Sequence, residues 1–267
     1  MKALRLLDRL IGPIFPGITG LYAAKIFVKP RDGKSRNMGG WNLLVPGGTY
    51  VAWGKNAKTS DTSKTVLLIH GWESHAGHMS VLADALNVTG FNVVALDAPA
   101  HGDAEGSATN AIQFAAALLA ASQKLGPFYA VVGHSMGGGA AFIALADGLP
   151  VKKVVTIASP FLFSEVLHRF AQHIGLPPKA EKSFVDRVER LTGRSWDETR
   201  GDVVARKVTQ PVLVVHDVED KEIPLTDALA LMRVLQHGHL MQTTGLGHRR
   251  ILRDRDTALA IAQWISE

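Results

Sequence analysis

The chain has 267 residues, enough for two small domains or one large α/β domain, and in either case enough to bury a substantial core. Its composition, 46% apolar and 20% charged, is that of a globular protein, and the net charge of +5 comes from Lys and Arg scattered among acids, without the basic stripe of a nucleic-acid binder. Cysteine is absent, which excludes disulfides, thiolate nucleophiles and Cys-containing zinc sites and fits a reducing compartment.

Residues 1–27, MKALRLLDRLIGPIFPGITGLYAAKIF, are apolar and slightly basic. Arg5, Asp8 and Arg9 interrupt the apolar run, and Pro13 and Pro16 break it again. Neither a signal peptide nor a membrane-spanning helix is expected from that pattern. Leu4, Leu7, Leu10 and Ile11 recur at helical spacing with Lys2, Arg5 and Arg9 between them. This predicts an N-terminal helical extension over residues 1–40, packed on the main domain. The competing expectation is weak membrane-surface contact through residues 1–27 as an in-plane helix. The expected location is the cytoplasm, with peripheral membrane attachment as the alternative.

TYVAWGK (49–55) alternates in polarity and predicts an early antiparallel strand. The polar KNAKTSDTSK (55–64) predicts an exposed loop. TVLLIHG (65–71), FNVVALD (91–97), FYAVVGH (128–134), KKVVTIA (152–158) and PVLVVHD (211–217) are continuous apolar runs, and GHLMQTT (238–244) is a weaker one. Such runs suit strands covered on both faces, as in parallel sheets. Helical patterns fall between them at 77–88, 108–124, 137–147, 226–236 and 256–266. Alternating strand and helix predicts a mostly parallel sheet with right-handed crossovers. Residues 161–207 break that rhythm with FSEVLHRFAQHIG and EKSFVDRVERLTG, and are expected to form a helical cap over the C-terminal edge of the sheet. The expected core is then 41–160 with 208–267.

VVGHSMGG (131–138) runs from an apolar strand into a helical pattern through Gly-x-Ser-x-Gly. That is the nucleophile-elbow pattern: the serine occupies a strained turn, and small flanking residues let the neighbouring backbones approach. The helix that follows aims its first amides at the site, where negative charge is favoured. LLIHGWESHAGHM (67–79) ends another strand at His70-Gly71. The backbone amides of Trp72 and Met136 are the candidate oxyanion donors. VVHDVEDKEIP (214–224) offers an acid after a late strand, and TTGLGHRRIL (243–252) offers a histidine before the last helix.

These motifs, in this order, resemble the α/β-hydrolase superfamily, close to its bacterial esterase and lipase-like branch with a helical cap. The resemblance covers roughly residues 60–267. Asp97, Pro99, His101 and Gly102 match the family's Asp-x-Pro-x-His-Gly loop, and Gly245, Gly247 and His248 match Gly-x-Gly-His. The family's acid precedes a Val/Ile-Pro pair, as Asp220 precedes Ile223-Pro224; Asp217, Glu219 and Glu222 are the other acids of that loop. The resemblance implies a mostly parallel central sheet flanked by helices, with a small helical cap inserted after the sixth strand. It also implies a triad: Ser135 as nucleophile, His248 as base and Asp220 as its orienting acid. Serine at the elbow argues against the dehalogenase-like and epoxide-hydrolase-like branches, which carry Asp there.

The activity implied is hydrolysis of a carboxylic ester with a small or medium acyl chain, through an acyl-enzyme. Thioesterase, lactonase, amidase, peptidase or carbon–carbon bond hydrolase chemistry, and a non-catalytic binding protein on the same fold, are the alternatives. No metal or organic cofactor is implied, and nothing in the sequence indicates an oligomeric state. Of the 11 histidines, His70 and His134 flank motif glycines and are read as orienting loops, His101 as structural, and His237 and His239 as surface residues. His70, His75 and His78 lack an obvious carboxylate partner and are not read as a metal site. Trp72, His134, Phe161 and Phe163 are the candidate substrate contacts.

Overall fold

A computed structural model describes residues 13–31, 41–45, 48–53 and 64–267. The helical repeat Leu4, Leu7, Leu10 and Ile11 and the polar stretch 55–63 lie outside the described residues. The described residues fall into two compact units. One holds the described residues up to Lys29 together with Leu162–Arg200, and the other holds those of Pro30–Phe161 with Gly201–Glu267.

The larger unit is built on a sheet of eight strands: β1 (Trp41–Val45), β2 (Gly48–Trp53), β3 (Thr65–Ile69), β4 (Asn92–Asp97), β5 (Ala130–His134), β6 (Lys153–Ile157), β7 (Val212–Asp217) and β8 (Gly238–Thr243). Their order is β1-β2-β4-β3-β5-β6-β7-β8. β1 pairs with β2, and β2 with β4, in antiparallel fashion. The six strands from β4 to β8 across the sheet are parallel. The apolar runs of the sequence became these parallel strands, and TYVAWGK became β2. Strand β1 was not anticipated; its register with β2 runs from Trp41 opposite Ala52 to Val45 opposite Gly48.

Every residue of β3, β5 and β7 is buried, as expected of strands with helices on both faces. Val66, Leu68, Val93, Ala95, Val132, Val155 and Val215 point to one side. There they pack with helix α2 (Ser80–Val88) and the C-terminal helix Arg255–Ser266, through Leu82, Leu86, Ile261 and Ile265. Two further helices follow strands β4 and β5: α3 (Ala111–Leu125), capped at its N-terminus by the Asn110 side chain, and α4 (Met136–Ala146). The segment after β6 is helical as expected, with α5 (Phe163–Ile174), α6 (Pro178–Thr192) and α7 (Trp196–Thr199) in the smaller unit, where they join α1 (Pro16–Phe27). Proline at the first turn of α6 and left-handed glycines after α5 and α6 set their ends. Helix α8 (Gly201–Ala205) belongs to the sheet-bearing unit. Helices α9 (Leu225–Met232), α10 (Gly247–Arg250) and α11 (Arg255–Ser266) complete it.

Candidate active site

Ser135 lies between the end of β5 and the start of α4, with φ 52° and ψ −123°. A serine in that region costs on the order of 1–3 kcal/mol and persists only when its surroundings hold it. They do so here. Its N–H donates to the Ile157 carbonyl at 2.8 Å, and its own carbonyl accepts from Gly138 at 3.0 Å and Gly139 at 3.2 Å. A side chain at Gly137 would overlap the His70 carbonyl and lie 2.8 Å from that of Ile69. Helix α4 therefore meets the end of β3 backbone to backbone. The serine hydroxyl is thus fixed at the C-terminal end of the sheet, beside the first turn of α4.

Two loops from distant parts of the chain reach it. His248 Nε2 lies 3.0 Å from Ser135 Oγ, and His248 Nδ1 lies 2.8 Å from Asp220 Oδ2. Asp220 Oδ1 accepts the amides of Glu222 at 2.8 Å and Ile223 at 2.9 Å. Burial works against the charge of Asp220, but the hydrogen bond and charge of His248 and those two amides outweigh it, and the carboxyl is held below its usual range. An ionised carboxylate can only accept, so His248 carries its proton on Nδ1. Its Nε2 lone pair then faces the serine hydroxyl. Of the other acids of the loop, Glu222 also comes near His248, its Oε2 3.9 Å from Nε2, but it is exposed. Asp217 takes Glu219 N–H on Oδ1, and Thr243 Oγ1 at 2.8 Å and Leu246 N–H at 3.0 Å on Oδ2. Glu219 is exposed, and exposed Glu222 pairs with Arg249 at 2.9 Å.

The loop after β3 is pinned from below. Buried His70 donates Nδ1–H to the Gly71 carbonyl at 2.7 Å and accepts the Ala98 amide at 3.0 Å. His101 donates to the Pro99 carbonyl at 3.0 Å and accepts the amide of Glu73 at 3.0 Å. Burial, first of all, pushes both rings below the usual histidine range, so they are neutral and each presents one donor and one acceptor. Asp97 accepts Ala76 N–H at 2.7 Å and Asp103 N–H at 3.1 Å, tying the two loops together. A side chain at Gly71 would lie 2.8 Å from Ser135 Cβ, so only glycine lets this loop pass the serine. Trp72 follows, half-buried, its ring 5.2 Å from that of His101. Met136 is the first residue of α4, where amides have no partner inside the helix.

A family model described as the alpha/beta hydrolase fold matches residues 64–258. The chain belongs to the α/β-hydrolase fold family. Among solved structures, an esterase from Exiguobacterium antarcticum is 16% identical, with a TM-score of 0.65 over 86% of this chain and 100% of its own. Est1E from Butyrivibrio proteoclasticus, solved with ferulic acid, is 19% identical with a TM-score of 0.65 over 85% and 96%. A monoacylglycerol lipase from Paleococcus ferrophilus is 21% identical with a TM-score of 0.64 over 81% and 98%. At these identities the likeness is one of fold. No curated protein sequence matches the chain significantly.

In this hydrolase fold, the structure brings Ser135, His248 and Asp220 into one hydrogen-bonded series. The other sequence candidates fall around or apart from it. His134 is buried and donates Nε2–H to the His248 carbonyl at 2.9 Å. Burial and the neighbouring His248 lower its pKa to about 3. It is a neutral prop for the loop that carries His248. Phe161 is half-buried, its N–H held by Asp227 at 3.1 Å, and Phe163 begins α5 in the smaller unit. His70 has both ring nitrogens occupied, while His75 and His78 stack with ring centres 4.0 Å apart. Among the described residues, no group of three or more His, Cys, Asp or Glu is placed to hold a metal ion. The supporting roles of two residues were not legible in the sequence. Asp217 ties the end of β7 to the loop before His248, and His216 donates to the Ile223 carbonyl at 3.0 Å beneath the Asp220 turn. Neither role belongs to a recognisable motif; the partners that define it lie 7 residues away for His216 and 26 and 29 for Asp217.

Proposed function

We propose that this hydrolase-fold protein cleaves carboxylic esters with a small or medium acyl chain, using Ser135, His248 and Asp220 as a catalytic triad. The observation that carries the reading is the series Ser135 Oγ–His248–Asp220, at 3.0 Å and 2.8 Å, on a serine held at positive φ. Ser135 Oγ attacks the ester carbonyl as His248 Nε2 takes its proton. Asp220 holds the ring in the tautomer required and stabilises the imidazolium. The tetrahedral oxyanion is received by the amides of Trp72 and Met136. The proton on His248 passes to the departing alkoxide, which leaves as an alcohol. Water, deprotonated by His248, then releases the acid from Ser135. The retained strain at Ser135 favours this over a non-catalytic role, since a binding protein gains nothing from a strained serine.

Intact-mass analysis after fluorophosphonate treatment tests the nucleophile. One adduct on wild type, mapped to Ser135 and absent from Ser135→Ala, is expected. Hydrolysis of p-nitrophenyl esters of graded chain length is expected to fall by about 10⁶-fold in that variant. Unlabelled, folded wild-type protein with no ester or thioester turnover would sink the proposal.

A further inference from the structure

Helix α1 is apolar on both of its sides. On one, Ala23 and Ala24 are buried in a small core with Leu167, Ala171 and Phe184, and Phe27 packs against them. A side chain on Gly20 would lie 2.7 Å from the Phe184 backbone nitrogen, so α1 and α6 meet closely here. On the other side Ile18 and Tyr22 are 65% and 52% exposed and Leu21 is 38% exposed; Ile14 (69%) and Phe15 (53%), just before the helix, continue that surface. At 3.6 residues per turn, positions 18, 21, 22 and 25 share one stripe. A helix on the surface of a globular unit has use for one apolar stripe, and a second, contiguous one marks a surface made to be covered.

The charges beside the stripe indicate by what. Lys25 lies on it, and Lys29 follows; both are exposed. From Arg9 to Arg31 the sequence has four basic residues, Arg9, Lys25, Lys29 and Arg31, and no Asp or Glu. Ile, Leu, Phe and Tyr bordered by lysines, with no acid among them, make the surface of a helix lying in a bilayer interface. A second copy of the chain suits it less, because in a two-fold contact the stripe meets itself and carries no carboxylate to pair with Lys25. Among the described residues no helix is long and apolar enough to cross a membrane.

We propose that the Ile14–Tyr22 face of α1 docks on an anionic lipid bilayer, the apolar side chains entering the interface and Lys25 and Lys29 meeting the headgroups. The test is co-sedimentation of the full chain with vesicles of mixed phosphatidylglycerol and phosphatidylcholine, read as protein mass in the pellet. Wild type is expected in the pellet, and several-fold less of it with phosphatidylcholine alone. Ile18→Ser/Leu21→Ser/Tyr22→Ser is expected to weaken partition at least about tenfold, and Lys25→Glu/Lys29→Glu to remove the preference for anionic lipid. Circular dichroism melting checks that both variants fold, independently of any enzyme activity. Wild type left in the supernatant, or variants that pellet as wild type does, overturns the proposal. So does a wild-type dimer in light scattering that the triple variant breaks, since the stripe would then belong to a second copy.

Discussion

Asp220 Oδ2 faces His248 Nδ1 at 2.8 Å, whereas Asp217, three residues earlier, spends its oxygens on Thr243, Leu246 and Glu219. Both carboxyls are held below their usual range. For Asp217, burial again opposes the charge, and the Thr243 hydroxyl and three backbone amides outweigh it. Their substitution is expected to divide rate from stability. Asp220→Asn keeps an acceptor for the Glu222 and Ile223 amides but loses the anion that fixes the His248 tautomer. The turnover number is expected to fall by about 10⁴-fold with a near-native urea midpoint. Asp217→Asn turns an amide NH₂ towards the Thr243 and Leu246 donors. Its cost is expected in stability, about 1–3 kcal/mol, with a much smaller loss of rate. Ester turnover and urea denaturation of the two variants check this. The opposite division would make Asp217 the acid.

Elements differed in how openly the sequence announced them. The parallel strands were legible because a strand covered on both faces reads as an unbroken Val/Ile/Leu run. The strained turn at Ser135 was legible because β5 could meet α4 only through glycine. Strand β1, WNLLV, was not, since its unbroken apolar run is only Leu43 to Val45, with Asn42 before it. The Gly-His-Ser-Met-Gly segment named Ser135, yet nothing in it shows that His134 would brace a carbonyl 114 residues later. Ile223-Pro224 singled out Asp220 in the acid loop, yet nothing there showed what Asp217 would hold. A carboxylate's task is set by which donors the fold brings to it, and those of Asp217 lie on β8 and in the loop that follows. Glycine at 137 tests the element scale directly. A helix ordinarily gains from Gly→Ala by about 0.5–1 kcal/mol. Gly137→Ala is expected instead to lose more than about 3 kcal/mol or fail to fold, because its Cβ meets the backbone of Ile69 and His70, which cannot withdraw. Gly17→Ala in α1, with nothing within 4 Å of its Cβ, is expected to be neutral or mildly stabilising. Urea midpoints of both decide it; a tolerated Gly137→Ala would mean that α4 can slide against β3.

Across the whole molecule, the histidines that hold the site also set its tolerance of acid. His70, His101 and His134 are buried and neutral, each with its pKa lowered chiefly by burial, that of His134 from 6.5 to about 3. Below the unfolded value the unfolded chain binds protons that the native state refuses. Stability from these groups is therefore complete at neutral pH and declines as pH falls. The loss approaches about 1.4 kcal/mol per pH unit for each histidine once the unfolded ring is fully protonated. Asp217 and Asp220 add losses of the same sign only in the lower, carboxylate range, and Asp97, its carboxyl raised by burial, offsets part of them there. Between about pH 7 and about pH 5 the histidines dominate. Urea midpoints across that window are expected to fall steadily, and His134→Gln, whose amide can still donate to the His248 carbonyl, to flatten the slope. A flat profile for wild type would mean that these rings accept protons in place. That would in turn break the bonds from Ala98 and Glu73 that fix the Gly71–Glu73 loop beside Ser135. In their neutral form the rings of His70 and His101 keep both bonds, so the loop beside Ser135 and the stability of the fold draw on the same groups.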